Sequence, residues 1–210
     1  FQGSNFNGNI SSWDTSEVTV MTNLFWNNWK FNKPIGNWDT RKVTTMRGMF
    51  ETASALNQPL NWDTSKVTDF YQMFNGAIAF NQPIGHFNTG NVGNMIGMFQ
   101  NVRAFNQPIG DWDTTSKSSN TLKMNSMFKD ATSFNQDIGK WNTSIVLCMD
   151  HMFYSATSFD QDLSSWDTSS TNCAYTFPMF YSSGLSKANK CKMSEKAWAS
   201  DDWGEDFPSS

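Results

Sequence analysis

Apolar and polar positions recur along this chain with a period of about 25 residues. One column of the repeat is an aromatic residue that precedes Asp-Thr or Asn-Thr, and a second is the Phe that follows Met or Leu. Both columns return at the same spacing, so the sequence contains seven copies of one unit. The first column is Trp13, Trp38, Trp62, Phe87, Trp112, Trp141 and Trp166, and the second is Phe25, Phe50, Phe74, Phe99, Phe128, Phe153 and Phe180.

Each copy divides into two predicted elements. The first half, from "FNQPIG" to the aromatic residue, is short and has a Gly near its end, which is typical of a brief strand and a turn. In the second half, as in "VTTMRGMF", Val43, Met46, Met49 and Phe50 fall on one face of a short helix. One such unit cannot bury its apolar face alone, so neighbouring copies must stack and share a core. The sequence therefore predicts a repeat solenoid, a leucine-rich-repeat-like α/β stack of seven rungs in which Phe, Met and Trp replace Leu.

The two ends of the predicted stack differ. Residues 1–183 hold the repeats, whereas residues 184–210 break the period and have helical potential around 193–200, as expected of a C-terminal cap. No comparable cap precedes the first copy, so Phe6 and Trp13 would face water. We therefore expect this end to contact further repeats before residue 1 or a neighbouring subunit.

Composition narrows the possible function classes. The formal net charge of −4 argues against a nucleic-acid partner, because phosphate binding rests on clustered Lys and Arg. No run of roughly 18 apolar residues is present, so this segment is not expected to span a membrane. No nucleophile–base arrangement or Gly-rich phosphate loop occurs, and His86 and His151 lie at unrelated offsets in their copies. The sequence thus predicts no enzyme activity, no cofactor and no metal site.

An Asp or Asn column lies four residues before the Val of each regular second half, where a helix N-cap belongs. The same column can be interpreted as a calcium ladder, but calcium takes about six to eight oxygen ligands and the column offers one carboxylate per copy. Asn caps a helix as well as Asp does, so capping is favoured. The column is Asp14, Asp39, Asp63, Asn88, Asp113, Asn142 and Asp167.

Two further polar columns leave alternatives open. The Thr after each Asp or Asn forms a ladder similar to those on ice-binding solenoids, although its neighbours are not the small residues that such surfaces usually show. An Asn column, followed by Gln in five copies, either bonds neighbouring backbone amides or presents a surface for a glycan or a protein. We define the contact strip as Asn32, Asn57, Gln58, Asn81, Gln82, Asn106, Gln107, Asn135 and Gln136.

Cysteines and sequons add candidate covalent sites. The three cysteines are Cys148, Cys173 and Cys191, at spacings unlike those of a zinc site. A disulfide between Cys173 and Cys191 would clamp the cap to the last copies and is favoured, with Cys148–Cys173 as the rival pairing. Asn9 and Asn142 begin Asn-X-Ser sequons and are possible glycosylation sites in a secreted protein.

The phrases "FNQDIGKWNTS" (134–144), "FNQPIGDWDT" (105–114) and "KVTDFYQMF" (66–74) closely resemble the repeat of the BspA-like leucine-rich-repeat surface proteins. The same repeat occurs in mycoplasma surface lipoproteins and in large extracellular proteins of marine algae. The resemblance covers residues 1 to about 183, and the chain departs from the pattern in its fifth and seventh copies and at its C-terminal end. The resemblance implies an extracellular or cell-surface location, a role in adhesion or binding, and no catalytic residues.

These observations predict a non-enzymatic extracellular or cell-surface repeat protein that mediates adhesion, protein or glycan binding, or structural assembly. Its partners would be other protein subunits or surface glycans. The alternatives are a ligand- or ice-binding solenoid, which requires a flat and bare Thr face, and an accessory domain of a larger surface enzyme. An enzyme site requires irregular positions, which the repeat leaves only at 114–120, at 170–178 and in the cap.

Overall fold

The structure, a computed structural model, describes residues 1–171 and 178–194. Within these residues the regular elements are two short strands, β1 (Leu122–Lys123) and β2 (Val146–Cys148), and one helix, α1 (Lys187–Ser194). The rest of the described chain consists of turns, extended segments and isolated β-bridges.

A parallel ladder joins the copies through their second halves. In the regular copies the bridging residue lies two positions after the Val, and it pairs with the equivalent residue of the next copy. The bridges are Val20–Thr45, Thr45–Asp69, Asp69–Asn94 and Asn94–Lys123, and β1 continues the ladder by pairing in parallel with β2. Strand-like pairing therefore belongs to the second half of each copy, and the strand predicted in the first half is absent from the described residues.

The helix predicted in each second half is also wrong, and a left-handed residue in the middle of the segment explains why. Gly48 of the second copy has a φ of 57°, and its N–H donates to the Tyr71 carbonyl of the next copy at 2.8 Å. A right-handed helix cannot continue through that conformation. The equivalent residues Asn23, Gln72, Gly97, Ser126 and His151 also have positive φ. Alternate backbone donors thus bond the neighbouring copy, while the donors between them close turns within the copy, as the N–H of Met49 does to the Met46 carbonyl at 3.1 Å.

Like residues of successive copies form continuous columns in the core. The predicted burial of Val, Met, Met and Phe is confirmed in the fourth copy, where none of the four has exposed surface, whereas Val18 and Leu24 of the first copy are half-buried. Phe99 stacks on Phe74 at 5.7 Å and on Phe128 at 5.6 Å between ring centroids. It also stacks on Phe105 at 4.2 Å, which joins two columns of the core. Stacked aromatic pairs add about 0.5–1.5 kcal/mol each beyond the apolar area that they bury.

Helix α1 is attached to the seventh copy by two aspartates. The N–H of Ser186 donates to Asp160 Oδ1 at 2.8 Å, and Lys192 pairs with Asp162 at 3.0 Å. Asp160 occupies the position of the Asn column, so the helix takes the place that an eighth copy would have at this point. The helix begins before the stretch predicted to be helical, and residues 195–210 of the predicted cap lie outside the described residues.

The N-terminal end of the stack exposes apolar surface. Trp13 is 51% exposed and Val20 is 58% exposed. Phe6 is only half-exposed, because it stacks between Phe1, at 4.0 Å between ring centroids, and Phe31, at 6.3 Å. Trp13 is therefore exposed to water as expected, whereas Phe6 is exposed only in part.

The favoured disulfide needs correction. Cys191 is an exposed thiol on α1, whereas Cys148 in β2 is disulfide-bonded. Helix α1 buries Met193 and turns Cys191 to solvent, so the predicted Cys173–Cys191 pair is not formed. The rival pairing includes the bonded Cys148, and Cys173 lies outside the described residues.

We predict that Phe99→Ala lowers the free energy of unfolding by about 3–5 kcal/mol, because it removes a fully buried ring from the middle of a stacked column. Ile78→Ala is the matched control, since Ile78 is 45% exposed and should contribute much less. Urea unfolding of both variants measures the difference. Equal losses for the two variants would contradict the stacked core.

Candidate functional site

The contact strip is a hydrogen-bonded ladder on the surface. The side-chain Oδ1 of Asn81 accepts the backbone N–H of Asn106 at 3.0 Å and the Nε2–H of Gln107 at 3.0 Å. The Oδ1 atoms of four further residues accept the same two bonds from the next copy: Asn32, Asn57, Asn106 and Asn135. Each Asn side chain therefore satisfies a backbone donor of the next copy, and the first role of the strip is to hold the copies together.

The contact strip also remains accessible to a partner. Asn57, Asn106 and Asn135 are exposed, while Gln107 and Gln136 are half-buried beside them. The ladder uses the oxygen of each Asn amide and the nitrogen of each Gln amide. The Asn nitrogen and the Gln oxygen take no part in the ladder bonds, so each copy keeps one kind of donor and one kind of acceptor on this side.

The Asp or Asn column forms turns instead of helix caps. Asp39 Oδ1 accepts the N–H of Arg41 at 3.1 Å, and Asn88 Oδ1 accepts the N–H of Gly90 at 3.1 Å. All seven members of the column make this bond to the residue two positions ahead. These are Asx turns, which Asn and Asp form equally well. The predicted helix caps are therefore absent at these described residues, because a turn follows each acceptor where a helix was expected.

Hydrogen bonds keep carboxylates of this column ionised. The side-chain and backbone donors of Arg41 lower the pKa of Asp39 to about 2, and the Thr115 hydroxyl followed by Lys117 lowers the pKa of Asp113 to about 2. A group with such a pKa is charged at neutral pH and makes a poor general acid or base. Across residues 1–171 and 178–194, no group of three or more His, Cys, Asp or Glu side chains is arranged to hold a metal ion.

The Thr column is buried between the copies. The Thr89 hydroxyl donates to the Asp113 carbonyl at 2.8 Å, and Thr89 is only 1% exposed. The same bond to the next copy is made by Thr15, Thr40, Thr64, Thr114 and Thr143. These hydroxyls cannot form a flat, bare face, so the ice-binding alternative that rests on them is wrong.

The indole N–H groups of the Trp column donate to carbonyls of the preceding copy, and in the fourth copy His86 makes the equivalent bond. Trp112 Nε1–H donates to the Ile84 carbonyl at 3.2 Å, as the other core indoles from Trp38 onward do to equivalent carbonyls. The fourth copy has Phe87, which has no donor, and there His86 Nε2 bonds the Leu60 carbonyl at 3.0 Å. Sequence reasoning missed this role, although the break in the Trp column at Phe87 signals it.

The four-residue insertion of the fifth copy packs onto the fourth. The N–H of Lys117 donates to the Gly90 carbonyl at 2.6 Å. A β-carbon on Gly93 would lie 3.2 Å from the Ser119 Cβ, so the absence of a side chain at Gly93 leaves room for the insertion. The irregular stretch 114–120 is thus accounted for by packing, and stretch 172–177 lies outside the described residues.

Both sequons lie on the surface. Asn9 and Asn142 are exposed and each accepts the N–H of the residue two positions ahead at 3.0 Å. The Ser144 hydroxyl also donates to Asn142 Oδ1 at 2.7 Å. Glycosylation at these two positions stays a prediction.

Comparison with known proteins gives one family. The model described as "Mycoplasma protein of unknown function, DUF285" matches the chain at residues 1–61, 50–121 and 117–193. No curated protein matches the sequence, and no solved structure matches it either. No helix among the described residues is long and apolar enough to cross a membrane.

We predict that Thr89→Val lowers the free energy of unfolding by about 1–3 kcal/mol, because the part-buried Asp113 carbonyl loses its donor. Thr89→Ser keeps the hydroxyl and serves as the control, with a smaller loss. Thermal or urea unfolding distinguishes the two variants. If Val is tolerated as well as Ser, the hydroxyl ladder does not hold the copies together.

Proposed function

The chain belongs to the family of Mycoplasma proteins of unknown function whose model matches it in three tandem segments, and from that premise we propose a non-enzymatic binding protein made of stacked repeats. It works outside the cell or on the cell surface and mediates adhesion, protein or glycan binding, or structural assembly. We further propose that the stack is a solenoid related to the BspA-like surface proteins. The phrases shared with those proteins and the parallel ladder between copies support this assignment.

The observation that carries the proposal is the use made of each repeated polar side chain. The Asp or Asn column closes turns, the Thr column donates to the next copy, and the indoles donate to the preceding copy. Side chains that already serve as structural hydrogen-bond partners are unsuited to turnover. The contact strip differs, because its amides keep donors and acceptors on an exposed side after the ladder bonds are made.

Structural assembly is supported by the N-terminal end of the stack. In the second copy the Thr45 carbonyl accepts the N–H of Met21 from the copy before it, at 3.1 Å. The equivalent carbonyls of the first copy belong to Val20, Thr22 and Leu24, and none of the described residues donates a backbone or side-chain hydrogen bond to them. A copy supplied by a neighbouring subunit or by further chain would provide these donors and would cover the exposed apolar surface.

The proposal is tested by binding of the whole chain to an array of extracellular-matrix proteins and glycans. We expect binding that changes little between about 0.05 and 0.5 M salt, since the contact strip carries amides and charge steering is strongly screened over that range. A steep loss of binding with salt, or binding to no member of the array, contradicts the proposal.

Variants locate the surface used in that assay. Gln82→Ala removes an amide of the contact strip and should weaken binding, whereas Thr68→Ala, at an exposed position beside the parallel ladder in the middle of the stack, should not. Circular dichroism of both variants controls for folding. Equal effects of the two substitutions would place the binding surface elsewhere.

A further inference from the structure

A shallow cleft of about 380 Å3 crosses the fourth, fifth and sixth copies beside the contact strip. Gly85 and Gly110 lie along its floor, and Asp111, Asp137 and Lys140 line it. Gln136 of the contact strip also borders the cleft. The cleft therefore combines backbone, carboxylate, ammonium and amide groups within three consecutive copies.

The floor is free of side chains because the next copy comes too close. A β-carbon on Gly85 would lie 2.8 Å from the Pro108 carbonyl oxygen, and one on Gly110 would collide with the Asp137 carbonyl oxygen. Real side chains do not tolerate such contacts, so these positions require Gly. The third copy lacks the Gly and the seventh has Ser164 in its place, so Gly occupies this position without a gap only in the fourth to sixth copies.

In the second and seventh copies a side chain closes the equivalent backbone position of the preceding copy. Asn37 Nδ2–H donates to the Ser11 carbonyl at 2.8 Å, and the Ser165 hydroxyl donates to the Gly139 carbonyl at 2.5 Å. At the cleft the corresponding residue of the fifth copy is Asp111, whose carboxylate is a hydrogen-bond acceptor. Asn37 and Ser165 thus each seal a copy to the preceding one, whereas Asp111 interrupts this bonding at the cleft.

The interruption leaves acceptors in the cleft. Among the described residues, no side chain or backbone N–H donates to the carbonyls of Gly85 and Gly110. The carboxylate of Asp111 adds acceptors, and Lys140 supplies a donor. A ligand that suits this set needs several donors together with acceptors, and a hydroxyl group provides both.

We propose that the cleft binds a neutral oligosaccharide, an inference that rests on the proposed binding function and identifies its ligand class and place. Hydroxyls of successive sugar rings donate to the Gly85 and Gly110 carbonyls and to the Asp111 carboxylate. Lys140 donates to a ring or hydroxyl oxygen. The exposed ring of Pro108 provides an apolar surface for the face of a sugar. Because the cleft is open and crosses three copies, it suits a chain better than a single enclosed ring.

The test is calorimetric titration of the whole chain with neutral oligosaccharides of increasing length, from the cello-, malto- and chito-series. We expect one series to bind, with an affinity that rises with chain length until the cleft is filled. Asp111→Asn should lower that affinity by roughly tenfold or more. It reproduces the donor of Asn37 and closes the Gly85 carbonyl, so the melting temperature should not fall.

Asn37→Asp is the matched control, because it makes the reverse change in the second copy, far from the cleft. It should leave the affinity for the oligosaccharide unchanged. Failure of all three series to bind overturns the inference, and so does an affinity that Asp111→Asn leaves unchanged. The array assay separates this failure from that of the proposed function. If the chain binds a protein of the array and Gln82→Ala abolishes that binding, the proposed binding function stands and only the saccharide inference is wrong.

Discussion

Backbone donors of one copy find their acceptors in the neighbouring copy, and the arrangement of the other groups depends on this exchange. The N–H of Gly48 binds the Tyr71 carbonyl, and the N–H of Asn106 binds the Asn81 side chain. A single copy has neither these acceptors nor a cover for its apolar face, so stacking is needed to hold this conformation. The stacking that pairs these groups also aligns the Phe and Trp columns. The same register between copies therefore determines both the hydrogen bonds and the packing of the core.

This constraint determines where a function can lie. Side chains repeated in every copy are needed to pair one copy with the next, as Thr89 and Trp112 show. New chemistry is then expected where the repeat departs from its pattern without loss of stacking. Asp111 is such a departure, because it replaces a side-chain donor and leaves backbone acceptors open. The first copy is another, since none of the described residues donates a hydrogen bond to the Val20 carbonyl.

The period, the seven copies and the buried columns were predictable because each copy repeats the same apolar positions. The local conformation was not, because the spacing of Val43, Met46, Met49 and Phe50 fits a helical face and a series of turns alike. The deciding signal is Gly48 and its equivalents Asn23 and Gly97, since Gly and Asn adopt positive φ most readily. The disulfide was missed for another reason: the face of α1 that carries Cys191 is set by packing, which repeat spacing does not report.

Backbone amide hydrogen exchange in the Asn column tests the central claim most directly. These residues are exposed or half-exposed, yet the account pairs each of their N–H groups with a side-chain oxygen of the preceding copy. The account predicts slow exchange at Asn57, Asn81, Asn106 and Asn135, comparable with that of the buried Phe99 amide. Exchange at these four amides as fast as in an unstructured peptide would contradict it.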